Sequence, residues 1–186
     1  RWWRVLPAAA AVLLLAVFGT GWYLLAGSRA RLDGAVRVHG VRARVEIQRD
    51  ALGTATFTAR SRDDIDYALG YVHAQERYFQ MDLARRVAAG ELAELVGAAA
   101  LPVDLDHRRH RLRAVAEAAY AQLPPEQRRQ LDRYRDGVNA GLAALRVRPW
   151  EYLLLREQPR PWRSEDTLLT IAVMYLDLNG DGHDAR

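Results

Sequence analysis

The stretch from Gly70 to Gly97, GYVHAQERYFQMDLARRVAAGELAELVG, most narrows what this chain can become. It contains no proline, and Ile65, Leu69, Val72, Phe79 and Leu83 recur at three- and four-residue spacing, the core stripe of a long helix. A solvated helix face would suit a mixture of Lys and Glu. Here His73, Gln75, Glu76, Arg77, Gln80, Asp82, Arg85 and Arg86 share their turns with Val72, Phe79 and Leu83. The mixture predicts a helix buried on most sides, with His73, Gln75, Arg77, Gln80 and Arg86 fixed in a polar network. Ser61 is expected to cap its start, with Asp63 and Asp64 in the positive first turn. Gly90 is expected to break or kink it, and Gly97 to cap the second piece.

Upstream lies a different kind of segment. Arg1-Trp2-Trp3-Arg4 precedes an apolar run from Val5 to Ala26, interrupted only by Pro7, Gly19, Thr20 and Gly21. A spanning helix needs about 20 mostly apolar residues, and this run has that length. Val12 to Phe18 followed by Ala26-Gly27-Ser28 also satisfies the shorter signal-peptide pattern. An uncleaved anchor over residues 1–28 is preferred, with Trp22 and Tyr23 in the outer interfacial belt and Trp2 and Trp3 in the inner one. Arg1 and Arg4 favour an inside N-terminus, which places residues 29–186 on the periplasmic or extracellular face; Arg29 and Arg31 weaken that bias. The start at Arg1 and the stop at Arg186 both read as trimmed.

Composition removes several classes. Half of the 186 residues are hydrophobic, so a real core is expected. The net charge is +4, yet all 27 basic residues are arginines interspersed with acids. That pattern fits a GC-rich coding bias better than a nucleic-acid surface. With no Cys there is neither a disulfide framework nor a thiolate metal site.

After a linker at 29–34, Val36, Val38, Val41, Ala43, Val45 and Ile47 alternate with polar residues in strand fashion. Asp50 and Gly53 read as turn formers between Val45–Gln48 and Thr54–Ala59, a β-hairpin. Residues 103–122 are expected as one helix, and Pro125 opens another whose Gly137 lets a neighbour approach closely. Residues 149–162 read as a proline- and tryptophan-marked connector. Ser164, Glu165 and Asp166 cap a final apolar helix to about Leu178, ended by Asn179-Gly180. The fold class is α+β, mostly helical with one hairpin, preceded by one transmembrane helix.

The residues themselves contain no complete catalytic set. Ser28 lies in the tether, Ser61 and Ser164 are caps, and none has a recognisable His and carboxylate. His107 and His110 are three apart but sit among arginines, a poor setting for a metal. Asp177, Asp181 and Asp184 offer oxygen atoms to a hard cation without EF-hand spacing. No GxSxG, HExxH or phosphate loop occurs.

A resemblance adds to this. Residues 70–83, Arg85-Arg86 and Gly90 to Gly97 resemble the signature region of the penicillin acylase (penicillin amidase) family. The similarity extends to Ile47–Asp50 with Gly53, Tyr134–Ala140, Pro149–Tyr152, Pro161-Trp162 and Met174, and so covers roughly 32–186. It implies an N-terminal nucleophile hydrolase of αββα sandwich fold, made as one precursor that cuts itself into an α-chain and a longer β-chain. The β-chain would begin with the catalytic Ser, whose α-amine acts as base in forming an acyl-enzyme. This chain resembles the α-chain, so its expected partners are its own β-chain, a small N-acylated substrate and the membrane, with no nucleic acid. The resemblance places Met174 and Leu178 in the acyl pocket, with plain core as the alternative. Asp177 stands where penicillin-cleaving members carry another polar residue, and Asp184 where they carry an acidic calcium ligand, usually Glu. The competing reading is a truncated, non-catalytic, membrane-tethered binding or scaffold module.

Overall fold

The computed structural model describes Trp2 to Gly180. Helix α1 spans Trp2–Gly27; its segment Ala9–Gly27, of mean hydropathy 2.0, is long and apolar enough to cross a membrane by length and composition. The only sheet among the described residues pairs β1 (Glu46–Arg49) antiparallel with β2 (Ala55–Thr58), Ile47 opposite Phe57 and Gln48 opposite Thr56. Asp50 makes the turn as expected, its Oδ1 accepting from the Leu52 and Thr54 amides at 2.9 and 2.8 Å.

Residues 36–45, expected as strand, are irregular. Their backbone is used elsewhere. The Arg42 amide donates to Asp64 Oδ1 at 2.9 Å, and Gly40 lies against the Tyr67 ring. An alternating pattern needs a partner strand to become one, and none lies beside it here.

Helix α2 (Arg62–Ala89) is the central element. Ser61 caps it, accepting from the Asp64 amide at 3.2 Å, and Gly90 ends it in the left-handed conformation (φ 67°). It kinks at Arg77 (φ −148°, ψ 29°). Its first half packs along α6 (Pro125–Ala143), where glycines bring the two backbones together. A Cβ on Gly137 would stand 1.9 Å from the Tyr67 carbonyl oxygen, and one on Gly70 2.2 Å from that of Tyr134. Gly137 thus does what its sequence context predicts.

Beyond Gly90 come α3 (Ala93–Val96), α4 (Leu101–Arg109) and α5 (Leu112–Gln122). The single helix expected over 103–122 is two, divided at Arg111 (φ 51°). Both sides of the break are held by tertiary partners. Asp104 on α4 accepts from the Leu92 and Ala93 amides, each at 2.8 Å, while α5 packs on the last helix. The connector at 149–162 contains α7 (Trp150–Leu155), which buries Tyr152. Helix α8 (Ser164–Gly180) closes the described chain. Its Leu169 and Val173 pack with Ala88 and Ala116, and a larger cluster joins Ala74, Tyr78, Leu95, Val138, Tyr152 and Trp162.

Candidate functional site

Two features of α8 stand out together: a buried ionic fastening at its start and an uncovered apolar face along its length. The fastening begins on α2. Asp82 is fully buried, and both its oxygens are taken. Oδ1 accepts from Arg85 Nε at 2.7 Å; Oδ2 accepts from Arg86 Nε at 3.0 Å and from the Tyr152 hydroxyl at 2.6 Å. Arg85 carries the chain of charge onward, donating to Asp166 Oδ2 at 2.6 Å and to the Pro161 and Arg160 carbonyls at 2.9 Å each. Its guanidinium also lies 5.0 Å from the Trp162 ring centroid. Asp166 in turn receives Arg113, which holds Glu91 through two hydrogen bonds. The Trp162 segment is pinned to α6 reciprocally: its amide donates to Asn139 Oδ1 at 2.7 Å, and Asn139 Nδ2 donates to its carbonyl at 2.9 Å.

The electrostatics describe a fastening rather than a reacting centre. Burial disfavours the Arg85 cation, but Tyr78, Asp82 and Asp166 overcome this and raise its pKa. Burial, with the neighbouring Asp82 charge, raises the Tyr152 hydroxyl, and burial raises that of Tyr78. Both phenols stay neutral donors. Asp82 accepts three hydrogen bonds, one on Oδ1 and two on Oδ2, from two arginines and a phenol, which is the arrangement of a structural anchor. Removing one partner from such a set leaves a buried charge uncompensated, about 3–5 kcal/mol.

The polar network expected along α2 exists, but with different members. Arg86 is buried against Asp82, while Gln75 is buried in a separate set, accepting from the Arg31 amide at 3.1 Å. Gln80 and Arg77 are exposed, and His73 pairs through Nδ1 with the Tyr134 hydroxyl at 2.9 Å. Burial lowers the His73 pKa, reinforced by Arg77, and burial pushes Tyr134 up to about 12. The centre is Asp82, which the sequence marks only through its i+3 and i+4 arginines. Its partner Tyr152, and Asp166, which is joined to it only through Arg85, come from distant segments.

With Leu169 and Val173 turned inward, α8 presents Ile171, Met174, Tyr175 and Leu178 outward, at i, i+3, i+4 and i+7. Met174 is 57% and Leu178 82% exposed, so neither is core in this chain. The two expected pocket residues therefore share one accessible face, alongside an exposed Asp177. Asp184 and Asp181 lie outside the described residues. Among the described residues no group of three or more His, Asp or Glu gathers to hold a metal, and His107 and His110 form no such site.

The family model described as penicillin amidase matches residues 44–186. The chain is similar to the penicillin acylase 2 proenzyme of Pseudomonas sp. (strain SE83), 41% identical over 131 residues that make up 70% of this chain and 17% of the relative. It is also similar to the acyl-homoserine lactone acylase QuiP of Pseudomonas aeruginosa, 35% identical over 187 residues, 94% of this chain and 22% of the relative. The chain thus spans about a fifth of the length of these curated relatives. Among solved structures, a thermostable penicillin G acylase from Alcaligenes faecalis superposes with a TM-score of 0.66 at 30% identity, covering 75% of this chain and 76% of that one.

Proposed function

The chain belongs to the penicillin amidase family, and from that premise we propose that it is the α-region of an amidohydrolase cleaving N-acylated small molecules. The observation that carries this reading is the outer face of α8. The exposed large apolar side chains Ile171, Met174 and Leu178, aligned on one helix face, mark a surface suited to a partner or ligand. In this reading the partner is the β-region of the same precursor, and the architecture they complete is the αββα sandwich. The chain covers 76% of the solved penicillin G acylase chain but about a fifth of the proenzyme, which supports reading it as one part of a longer precursor.

The β-region would open with a Ser. Its hydroxyl attacks the amide carbonyl while the free α-amine takes the proton, the amine product leaves, and water releases the acid from the acyl-enzyme. This chain contributes shape: Met174 and Leu178 wall the acyl pocket, and Asp177 beside them sets which acyl groups are accepted. Asp184 supplies one oxygen ligand of a structural calcium ion completed by the β-region. Helix α1 anchors the enzyme, with the remainder on the periplasmic or extracellular face.

The test is hydrolysis by the complete protein across phenylacetyl amides, N-acyl homoserine lactones and acylated peptides. Release of free acid from at least one class is expected. Failure across the panel by a folded protein removes the enzyme and favours the non-catalytic tethered module.

A further inference from the structure

The end of α1 is fastened to the globular part. The Val147 amide donates to the Gly27 carbonyl at 3.1 Å, and a Cβ on Gly27 would stand 2.6 Å from Val147 Cγ2. This contact fixes which surface lies beside the point where α1 leaves the bilayer. Ala9–Gly27 is 19 residues, about 28 Å of helix, close to the roughly 30 Å hydrocarbon thickness. With Trp22 and Tyr23 in the outer interfacial belt, Gly27 and Val147 then sit about one turn further out, at headgroup level. Trp150 follows Val147 by three residues and lies at most about 11 Å away along the chain.

That neighbourhood has the chemistry of a bilayer interface. Trp150 is 46% and Leu154 73% exposed, one turn apart on α7, while Tyr152 between them faces the core. Arg29, Arg146 and Arg156 are exposed and Arg148 half-buried; they lie close in sequence to Gly27, Val147 and α7 and form no ion pair among the described residues. Glu151 and Glu157 offset part of that charge and leave it positive. An amphipathic indole beside an aliphatic side chain and unpaired arginines matches headgroup-level contact with anionic lipid.

We propose that the α7 face of Trp150 and Leu154, with Arg29, Arg146, Arg148 and Arg156, docks on anionic phospholipid headgroups, holding the catalytic body against the membrane. The inference rests on α1 being an anchor. Continuity with the spanning helix and the positive charge select a lipid surface over a protein partner.

The complete protein, carrying one cysteine labelled with an environment-sensitive dye at Leu154→Cys or at Leu14→Cys, is reconstituted in nanodiscs of phosphatidylcholine and phosphatidylglycerol with brominated chains. The proposal expects both dyes to be quenched, that at 154 roughly twofold or more, falling in phosphatidylcholine alone and in Arg29→Glu/Arg146→Glu. Quenching at 14 without quenching at 154 overturns the docking surface and leaves the anchor intact. A dye at 154 that is shielded from water yet unquenched by lipid shows the rest of the protein covering the face, and overturns it too. Quenching indifferent to lipid charge and to the arginine reversal overturns the anionic partner. No quenching at 14 removes the anchor, and the inference with it.

Discussion

The Tyr152 hydroxyl hydrogen-bonds the fully buried Asp82 carboxylate at 2.6 Å, tying α7 to α2 across seventy residues of chain. Asp82 is held on the same oxygen by Arg86 and on the other by Arg85, which reaches on to Asp166 at the start of α8. Through Arg85, this carboxylate helps to hold the start of α8, alongside Arg113 and the packing of Leu169 and Val173.

Asp82→Asn is expected to leave Arg85 and Arg86 under-compensated and to cost about 3–5 kcal/mol. Tyr152→Phe, which removes one hydrogen bond to that carboxylate, is expected to cost less, about 1–3 kcal/mol. Thermal unfolding of the complete protein checks the order. Equal, negligible losses would remove the fastening role.

Gly137→Ala forces a Cβ onto the Tyr67 carbonyl, a backbone atom that cannot swing aside. The expected loss is about 3 kcal/mol or more, beyond ordinary overpacking. Gly21→Ala, where a Cβ meets nothing within 4 Å inside a helix, is the control and should not lower the melting temperature. Equal tolerance of both would contradict the α2–α6 approach.

His73 gives a pH prediction. Its folded pKa lies below the ordinary value because burial and Arg77 oppose the cation. On acidification the unfolded chain takes up this proton first, so stability falls as the pH drops through about 6.5 and levels off below the folded pKa. A melting temperature followed from pH 8 to pH 5 should fall less steeply in His73→Gln than in the parent. Identical slopes would show that His73 does not titrate differently on folding.

Met174→Ala separates pocket from core. Because Met174 is 57% exposed, stability is expected to change by no more than about 0.5 kcal/mol. The kcat/KM ratio between a bulky and a small acyl group is expected to shift about tenfold. A stability loss without a specificity change would place Met174 in structure alone.

Much of this was legible, and the division follows from physics. The Ser61 cap, the Asp50 turn, the helix of α2, the Gly90 stop and the tight approach at Gly137 are local signals, and each appears as expected; of the expected α2 stripe only Val72 is buried, while Ile65, Leu69, Phe79 and Leu83 are half-buried. The failures are tertiary. The alternation over 36–45 has no partner strand, and Arg111 breaks a helix because α4 and α5 answer to different neighbours. Gln80 was read into the buried network from its residue type, yet it faces outward, while Asp82 gains its importance from Tyr152 and Asp166, which no spacing rule connects to it. The exposure of Met174 and Leu178 was equally invisible, since an apolar helix reads the same whether its second face meets core or partner.

The most direct measurement is the intact mass and N-terminal sequence of the mature protein expressed from its whole reading frame. The account predicts two tightly associated chains, the smaller one containing Met174 and Leu178 and the larger beginning with Ser. A single uncut chain, or a second chain beginning with a residue that offers no nucleophile, would contradict it.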